Sequence, residues 1–242
     1  MTRLFLDGTI QPAKSVHVSG EKAHYISTVL RCKIHDILIV TDSTGAAYSA
    51  RISAITRKEA TLAITEPFCQ DNEPPIDIIL LQGLLKGEKM DLVIQKATEL
   101  GVTEIVPVIT ERSQIRETRK VQRWQKIAGE ASRQCGRNRI PLIHEPDAFE
   151  AVIASQGIKR GIIFWEEEGA PFSAAVDKCK GEKKIVLCIG PEGGFSGKEI
   201  KTAEERGFSV ASLGRRILRA ETAAIASITM VQFLLGDLAG RE

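Results

Sequence analysis

Leu187–Ile200 reads LCIGPEGGFSGKEI. An apolar run stops at Gly190-Pro191, three glycines fall within five residues, and polar residues with helical character follow. Ser196 followed by Glu199 has the spacing of a capping box, which places a helix start at Gly197. The stretch is therefore a buried strand, a glycine turn and a helix. In open α/β sheets ligands bind at that junction, and glycine lets the backbone approach a ligand or take positive φ. A phosphate, a methyl donor and an empty tight turn all remain open for this loop taken alone. Two phosphate motifs fail. GGFSGKE is one residue short of GxxxxGK, and Glu199 stands where a hydroxyl would reach magnesium. The dinucleotide pattern GxGxxG is broken by Pro191 and Glu192.

Working outward, residues 77–242 alternate strands and helices. IDIILLQGL, EIVPVI, GIIFWE and KKIVLCIG read as apolar strands, as a parallel sheet covered on both faces requires. Between the first two, Met90, Val93, Ile94, Ala97 and Leu100 recur at helical spacing, and Gly101 suits the C-terminal cap. The last helix is ETAAIASITMVQFLLGDL. Residues 1–70 instead hold short β-type runs (RLFLDG, DILIVTD, AAYSARISAI, EATLAITEP) around one helix near EKAHYISTVLR. Residues 71–76, rich in polar residues and proline, read as a linker between the two domains.

Composition excludes more than it selects. Hydrophobic residues at 43% and charged residues at 26% are ordinary for a globular protein. A formal charge of +2 gives no global signal for nucleic acid, so that signal must be local. Five scattered cysteines without a CxxC pair suggest neither zinc nor a disulfide framework, and no metal is expected. The N-terminus lacks the charge and apolar pattern of a secretory signal, and no apolar run nears the roughly 20 residues that span a bilayer. A cytoplasmic protein with no membrane contact is the expectation.

A second stretch, Ser212–Ala226 (SLGRRILRAETAAIA), repeats the order of short strand, glycine turn and helix, with Arg215, Arg216 and Arg219 at the turn. Together IGPEGGFS and SLGRRILRAETAA resemble the signature of SPOUT-class methyltransferases. More narrowly, the chain resembles the RsmE family, which methylates N3 of a uridine in 16S ribosomal RNA. Leu80–Ser113, Arg123–Arg137, RLFLDG and His24–Arg31 carry the resemblance through nearly the whole chain. The departure is KIHD at Lys33–Asp36, where the family usually has Gly in place of His35.

The resemblance implies an N-terminal PUA-like β-barrel that helps bind RNA and an α/β domain with a C-terminal trefoil knot, an exception to the usual rule against threaded chains. It also implies a homodimer, S-adenosylmethionine as cofactor, and 16S rRNA within the assembled small subunit as partner. Carried over, the donor site is Glu167, Ile189, Gly190, Pro191, Glu192, Gly193, Gly194, Leu213, Gly214, Ile217, Leu218 and Arg219, with a third loop contributing near 166–168. Uracil N3 carries a proton, and negative charge spreads onto the flanking carbonyl oxygens as that proton leaves. Arg219, with Arg216 as second choice, is the candidate to stabilise that charge, and Glu192 or Glu221 the candidate proton acceptor.

Residues 111–140 hold nine Lys or Arg against three Glu. Arg119, Arg123, Lys126, Arg133 and Arg137 are expected near one face of a helix, with Trp124, Ile127, Ala128, Ala131 and Cys135 opposite. The expected RNA contacts are Arg3, Arg31, Lys86, Arg112, Arg116, Arg119, Arg123 and Arg137. Phosphate contacts of this kind position an RNA without reading its sequence. A non-catalytic RNA-binding protein and a methyltransferase acting on transfer RNA or on a ribose oxygen are the competing readings. Donor binding separates the first from the expectation, and identification of the methylated base separates the second.

Overall fold

The structure, a computed structural model, describes residues 2–70, 72–155, 160–167 and 169–240. The chain divides into two compact units. The first comprises Met1–Glu73 and Ser132–Arg139, the second Pro74–Ala131 and Ile140–Glu242. The sequence reading had placed 132–139 with the second domain.

The first unit carries β1 (Arg3–Phe5), β2 (Ser15–Ser19), α1 (Gly20–His24), β3 (Ile37–Thr41), β4 (Ala47–Ile55) and β5 (Glu59–Pro67). These strands form one sheet in the order β1-β3-β4-β5-β2. β1 and β3 run parallel and the other pairs antiparallel. Register shifts at Tyr48/Ala50 and Ile52/Ala54 interrupt the β4–β5 ladder, as bulges do where a sheet must bend. Leu4, Ile26, Leu38, Ile52 and Leu62 fill its core. The helix expected over EKAHYISTVLR is a single turn of α-helix running into a π-helical turn at Tyr25–Val29. His35 stands at φ +77°. A histidine thus keeps the left-handed conformation that glycine would take without strain.

In this unit Arg3 and Arg137, both expected to contact RNA, are instead structural. Arg3 is 4% exposed, and its guanidinium donates to Asn138 Oδ1 and to Thr41 Oγ1. Arg137 is 2% exposed and donates through Nε and an η nitrogen to the Glu73 carboxylate at 3.0 and 2.6 Å. Glu73 also accepts the backbone N–H groups of Asn138 and Arg139. Buried arginines with satisfied donors tie 132–139 to the small sheet and cannot reach a phosphate. Arg31 is exposed, at φ +53°.

The second unit carries β6 (Asp77–Gly83), α2 (Lys89–Glu99), β7 (Glu104–Ile109), most of α3 (Val121–Cys135), β8 (Leu142–Ile143), β9 (Asp147–Ala148), α4 (Phe149–Ser155), β10 (Gly161–Phe164), β11 (Ala170–Pro171), α5 (Phe172–Asp177), β12 (Lys184–Ile189), α6 (Gly197–Glu205), β13 (Phe208–Ser212) and α7 (Ala220–Leu235). The sheet order is β11-β13-β10-β12-β6-β7-β8, with β9 also on β7, and its pairs are parallel. β6 is buried at every residue from Ile78 to Gly83, because apolar clusters cover both of its faces. Pro107 in β7 falls between the residues that pair with β8 and those that pair with β9. The missing N–H therefore breaks neither ladder. Met90, Val93, Ile94 and Ala97 are the buried face of α2, and Gly101 follows at φ +86°.

The chain lays β6, β7 and β8 outward in one direction, returns to form β10, and only then inserts β12 between β6 and β10. The strand order reverses there, and the loops after β10, β12 and β13 emerge at the C-terminal edge of a parallel sheet. That is where a ligand crevice is expected.

Candidate active site

The loops after β10, β12 and β13 enclose a cavity of about 350 Å³. The two glycine turns follow strands that are not adjacent, because β10 runs between β12 and β13. The loop after β10 therefore supplies wall residues, Trp165 and Glu166.

The turn 190–196 is set by backbone demands. Gly194 adopts φ +68°, where any other residue is strained, and a side chain there would also have to displace the Glu166 carboxylate. A Cβ on Gly190 would stand 3.0 Å from the Gly194 carbonyl carbon. Across the sheet, a Cβ on Gly83 would run into the Pro191 backbone nitrogen, so β6 admits this loop only because residue 83 is glycine. Gln82, fully buried, donates to the carbonyl oxygens of Gly83 (3.1 Å) and Gly190 (3.4 Å). The turn ends in the capping box. Ser196 Oγ accepts the Glu199 N–H, and the Glu199 carboxylate accepts the Ser196 N–H at 2.8 Å. The second turn has Gly214 at φ +97° and closes on Arg219, the N-cap of α7.

Of the residues expected to hold the donor, Ile189, Gly190, Pro191, Glu192, Gly194, Leu213, Gly214, Ile217, Leu218 and Arg219 line this cavity. Gly193 and Glu167 are not among the lining residues. Gly193 faces Arg112, and Glu168, within the expected third loop, lies outside the described residues. Arg216 and Glu221 also line the wall. Sequence reasoning missed Lys89, Phe164, Ser212, Ala220 and Ala223 as wall residues. Lys89 opens α2, about a hundred residues before the glycine loop, and no local signal links the two. Trp165 is half-buried and lines the wall.

Two carboxylates differ in their settings. Glu192 Oε1 accepts Lys89 Nζ at 2.9 Å and the Lys86 N–H at 3.2 Å. Burial pushes the Glu192 carboxyl up. The hydrogen bonds from Lys89 and from the backbone N–H groups of Glu192 and Lys86, with the Lys89 charge, outweigh it and hold the group below the usual carboxylate range. Glu221 has one carboxylate oxygen buried without a hydrogen-bond partner. A buried acceptor left unmatched costs about 1–3 kcal/mol and marks a place for a donor group from a ligand. A glycine cradle, an orphaned carboxylate oxygen and a partly apolar wall suit a cationic, hydroxyl-bearing ligand the size of S-adenosylmethionine.

Around this unit, Lys86, Arg112, Arg116, Arg119 and Arg123 are exposed. Arg112 donates to the Gly193 carbonyl at 3.3 Å and Arg116 to the Glu111 carbonyl at 3.1 Å. Arg116 and Arg119 line an open depression with Glu145 and Pro146. Arg123 pairs with Asp91 at 2.8 Å, and Trp124 Nε1 donates to the same carboxylate. Asp91 thus holds part of the charge that the sequence reading assigned to RNA. Arg133, expected on the same helix face, belongs to the small unit, where it stacks 5.1 Å over the Tyr25 ring.

Among the described residues no group of three potential ligands could hold a metal ion, and no helix is long and apolar enough to cross a membrane. A family model of the RNA methyltransferase domain matches residues 72–232, and one of the RNA methyltransferase PUA domain matches residues 18–65. Ribosomal RNA small subunit methyltransferase E of Buchnera aphidicola is 36% identical, over 97% of this chain and 94% of its own length. The Bacillus subtilis protein of the same name is 29% identical over the full length of both. The crystal structure of ribosomal RNA small subunit methyltransferase E from Neisseria gonorrhoeae bound to S-adenosyl methionine superposes with a TM-score of 0.91. It is 32% identical and covers 98% of this chain and 99% of that one. A putative methyltransferase from Legionella pneumophila in complex with SAM has a TM-score of 0.89 at 33% identity, over 98% of this chain and 99% of that one.

Proposed function

The chain belongs to the RNA methyltransferase family that contains ribosomal RNA small subunit methyltransferase E, and on that premise we propose that it transfers a methyl group from S-adenosylmethionine to N3 of a uridine in 16S ribosomal RNA. The observation that carries the proposal is the cavity where the glycine turns after β12 and β13 meet the loop after β10, with Arg219, Glu192 and Glu221 in its wall. The family's trefoil threading is part of the proposal, supported by the late insertion of β12 between β6 and β10. The division 1–70, 71–76 and 77–242 is part of the proposal, except that 132–139 belongs to the first compact unit.

When bound, S-adenosylmethionine supplies an electrophilic methyl on a positively charged sulfur, so the reaction needs no metal. Gly190 and Gly194 let the backbone close on the donor, and Glu221 offers its unmatched oxygen to a donor hydroxyl or ammonium. The N3–methyl bond forms as the sulfur–methyl bond breaks, and the sulfur keeps the electron pair. The N3 proton leaves to Glu192, directly or through water. Glu192 is ionised at neutral pH and can accept it, but its lowered pKa makes it a reluctant base. Most of the rate must therefore come from alignment and from Arg219, a permanent charge in the cavity wall that stabilises the oxygens where negative charge develops. The uridine must be unpaired or turned out of a helix to present N3. In the second unit Lys86, Arg112, Arg116 and Arg119 hold the RNA through its phosphates, and Arg31 is the phosphate contact proposed for the first unit.

We place the reaction in the cytoplasm, on the assembled small subunit and in a homodimer. The apolar side chains left exposed on and beyond α7, Phe233, Leu234 and Leu238, support the dimer, and light scattering should find twice the monomer mass. The function is tested by transferring labelled methyl from S-adenosylmethionine to small subunits that lack the modification. Labelled N3-methyluridine is expected after nucleoside analysis, and label on a ribose or another base would overturn the assignment.

A further inference from the structure

A capping box needs one oxygen of its glutamate, and the other normally faces water. In α6 both oxygens of Glu199 are used, and the residue is 1% exposed. Oε2 accepts the Ser196 N–H at 2.8 Å, at the end of the glycine turn. Oε1 accepts the Glu111 N–H at 2.8 Å, from the turn that follows β7. That second turn is itself closed, by Thr110 N–H to Ser113 Oγ at 2.9 Å and Ser113 N–H to the Thr110 carbonyl at 3.1 Å. It carries Arg112, whose Cβ and carbonyl oxygen lie 3.1 Å from where a Gly193 side chain would begin, and whose guanidinium donates to the Gly193 carbonyl. Arg116 reaches back to the Glu111 carbonyl. One buried carboxylate thus bridges the loop that walls the cavity and the turn that presents two exposed arginines.

We propose that Glu199 is a positioning residue that couples the donor loop 190–196 to the arginine turn 110–116, so that donor and RNA bind cooperatively. The inference rests on the reading of the cavity as the donor site and of Arg112 and Arg116 as RNA contacts. A ligand that settles the backbone of Gly190–Gly194 sets the Gly193 carbonyl and the Ser196 N–H. Through Glu199 it also fixes the turn on which Arg112 stands. By linkage, RNA must tighten donor binding by the same factor as the donor tightens RNA binding.

Glu199→Gln breaks the bridge with almost no change of shape. A carboxylate can accept both N–H groups, but an amide has a single acceptor oxygen and turns its NH₂ against the other donor. The measurement is the affinity of S-adenosylhomocysteine, which has no methyl to transfer, with and without small subunits lacking the modification. The full-length protein is expected to bind it at least about fivefold tighter with RNA than without, the lower end of ordinary coupling. In Glu199→Gln that ratio falls to within about twofold, while affinity in the absence of RNA changes little. Ser113→Ala, which opens the turn that carries Arg112 while leaving the buried carboxylate and both arginines in place, keeps the test sound if Glu199→Gln fails to fold, and the ratio is expected to collapse there too. Ser196→Ala removes the hydroxyl cap alone and should lower stability while leaving the ratio intact.

A ratio of one in the unaltered protein overturns the inference, as does a ratio preserved in a folded Glu199→Gln protein (or in Ser113→Ala if Glu199→Gln does not fold), or lost equally in Ser196→Ala. Failure of the unaltered protein to bind the cofactor product overturns the donor site itself. Binding with methyl transfer but without coupling removes only the role of Glu199.

Discussion

The glycine turns after β12 and β13 and the basic segment 111–140 gave equally suggestive sequence signals, and the fold treats them differently. At the turns, Gly194 and Gly214 take positive φ, and both turns wall one cavity. In the basic segment the cations divide. Arg112, Arg116 and Arg119 are exposed, Arg123 is paired with Asp91, and Arg137 is buried against Glu73. The difference is physical. A glycine at a strand end answers a backbone requirement that other residues meet only with strain. A long arginine can stack, pair with a carboxylate or meet a phosphate, and sequence spacing does not choose among these.

The sharpest contrast sits inside the cavity, where Arg219 is the arginine assigned to chemistry. Arg219→Ala should lower turnover on the order of a hundred- to a thousandfold, as loss of a charge-stabilising donor does, with donor affinity unchanged within a few-fold. Calorimetry and single-turnover transfer check this, and full turnover would return Arg219 to the surface charges.

Arg137 and Arg116 test the division of the basic segment. Arg137→Ala strands the buried Glu73 carboxylate, and urea unfolding should show a loss of about 3 kcal/mol, with RNA affinity of the folded protein retained. Arg116→Ala should do the reverse. It should leave stability unchanged, weaken different RNAs alike, and reduce the salt dependence of binding by roughly one counterion. If Arg137→Ala weakened RNA binding in a fully stable protein, the burial argument would fail.

Lys89 tests the acceptor. The Glu192 carboxyl titrates below the usual range, so the acid limb of kcat/KM should lie below that range. Activity carried by ionised Glu192 is present above its folded-state pKa and lost as pH falls through it. Lys89→Met removes both the hydrogen bond and the nearby charge and should move that limb upward. An unmoved limb would pass the proton to another group.

The smallest expected effect lies in the first unit. His35→Gly should raise stability by about 1 kcal/mol by releasing a left-handed histidine, read from the urea midpoint. A loss would mean that the His35 side chain contributes more than its backbone strain costs.

These contrasts follow what could be read before the structure. The α6 start at Gly197 and the α2 cap at Gly101 were legible because capping chemistry is local. β2 was missed although Ser15–Ser19 alternates, with Val18 buried and Val16 packed on the same core, because two apolar residues are too short a run to stand out. β8, β9 and β11 are two residues long and carry no period. Strand order was not legible at all. The third loop near 166–168 was expected from the resemblance and Glu166 does line the cavity, but neither the place of β10 between the two glycine-turn strands nor the arrival of Lys89 from the N-terminus of α2 was. Both are products of tertiary packing, as is the return of 132–139 to the small unit.

Calorimetric titration of S-adenosylmethionine into the unaltered protein and into Gly194→Val tests the central claim most directly. A side chain at residue 194 meets both a positive φ and the Glu166 carboxylate. The account predicts one site per chain in the unaltered protein and, in a Gly194→Val protein still folded by circular dichroism, affinity weaker by at least about tenfold, roughly 1.4 kcal/mol. Equal affinity in the two proteins would contradict it, since the glycine loop would then be a turn and the donor would bind elsewhere.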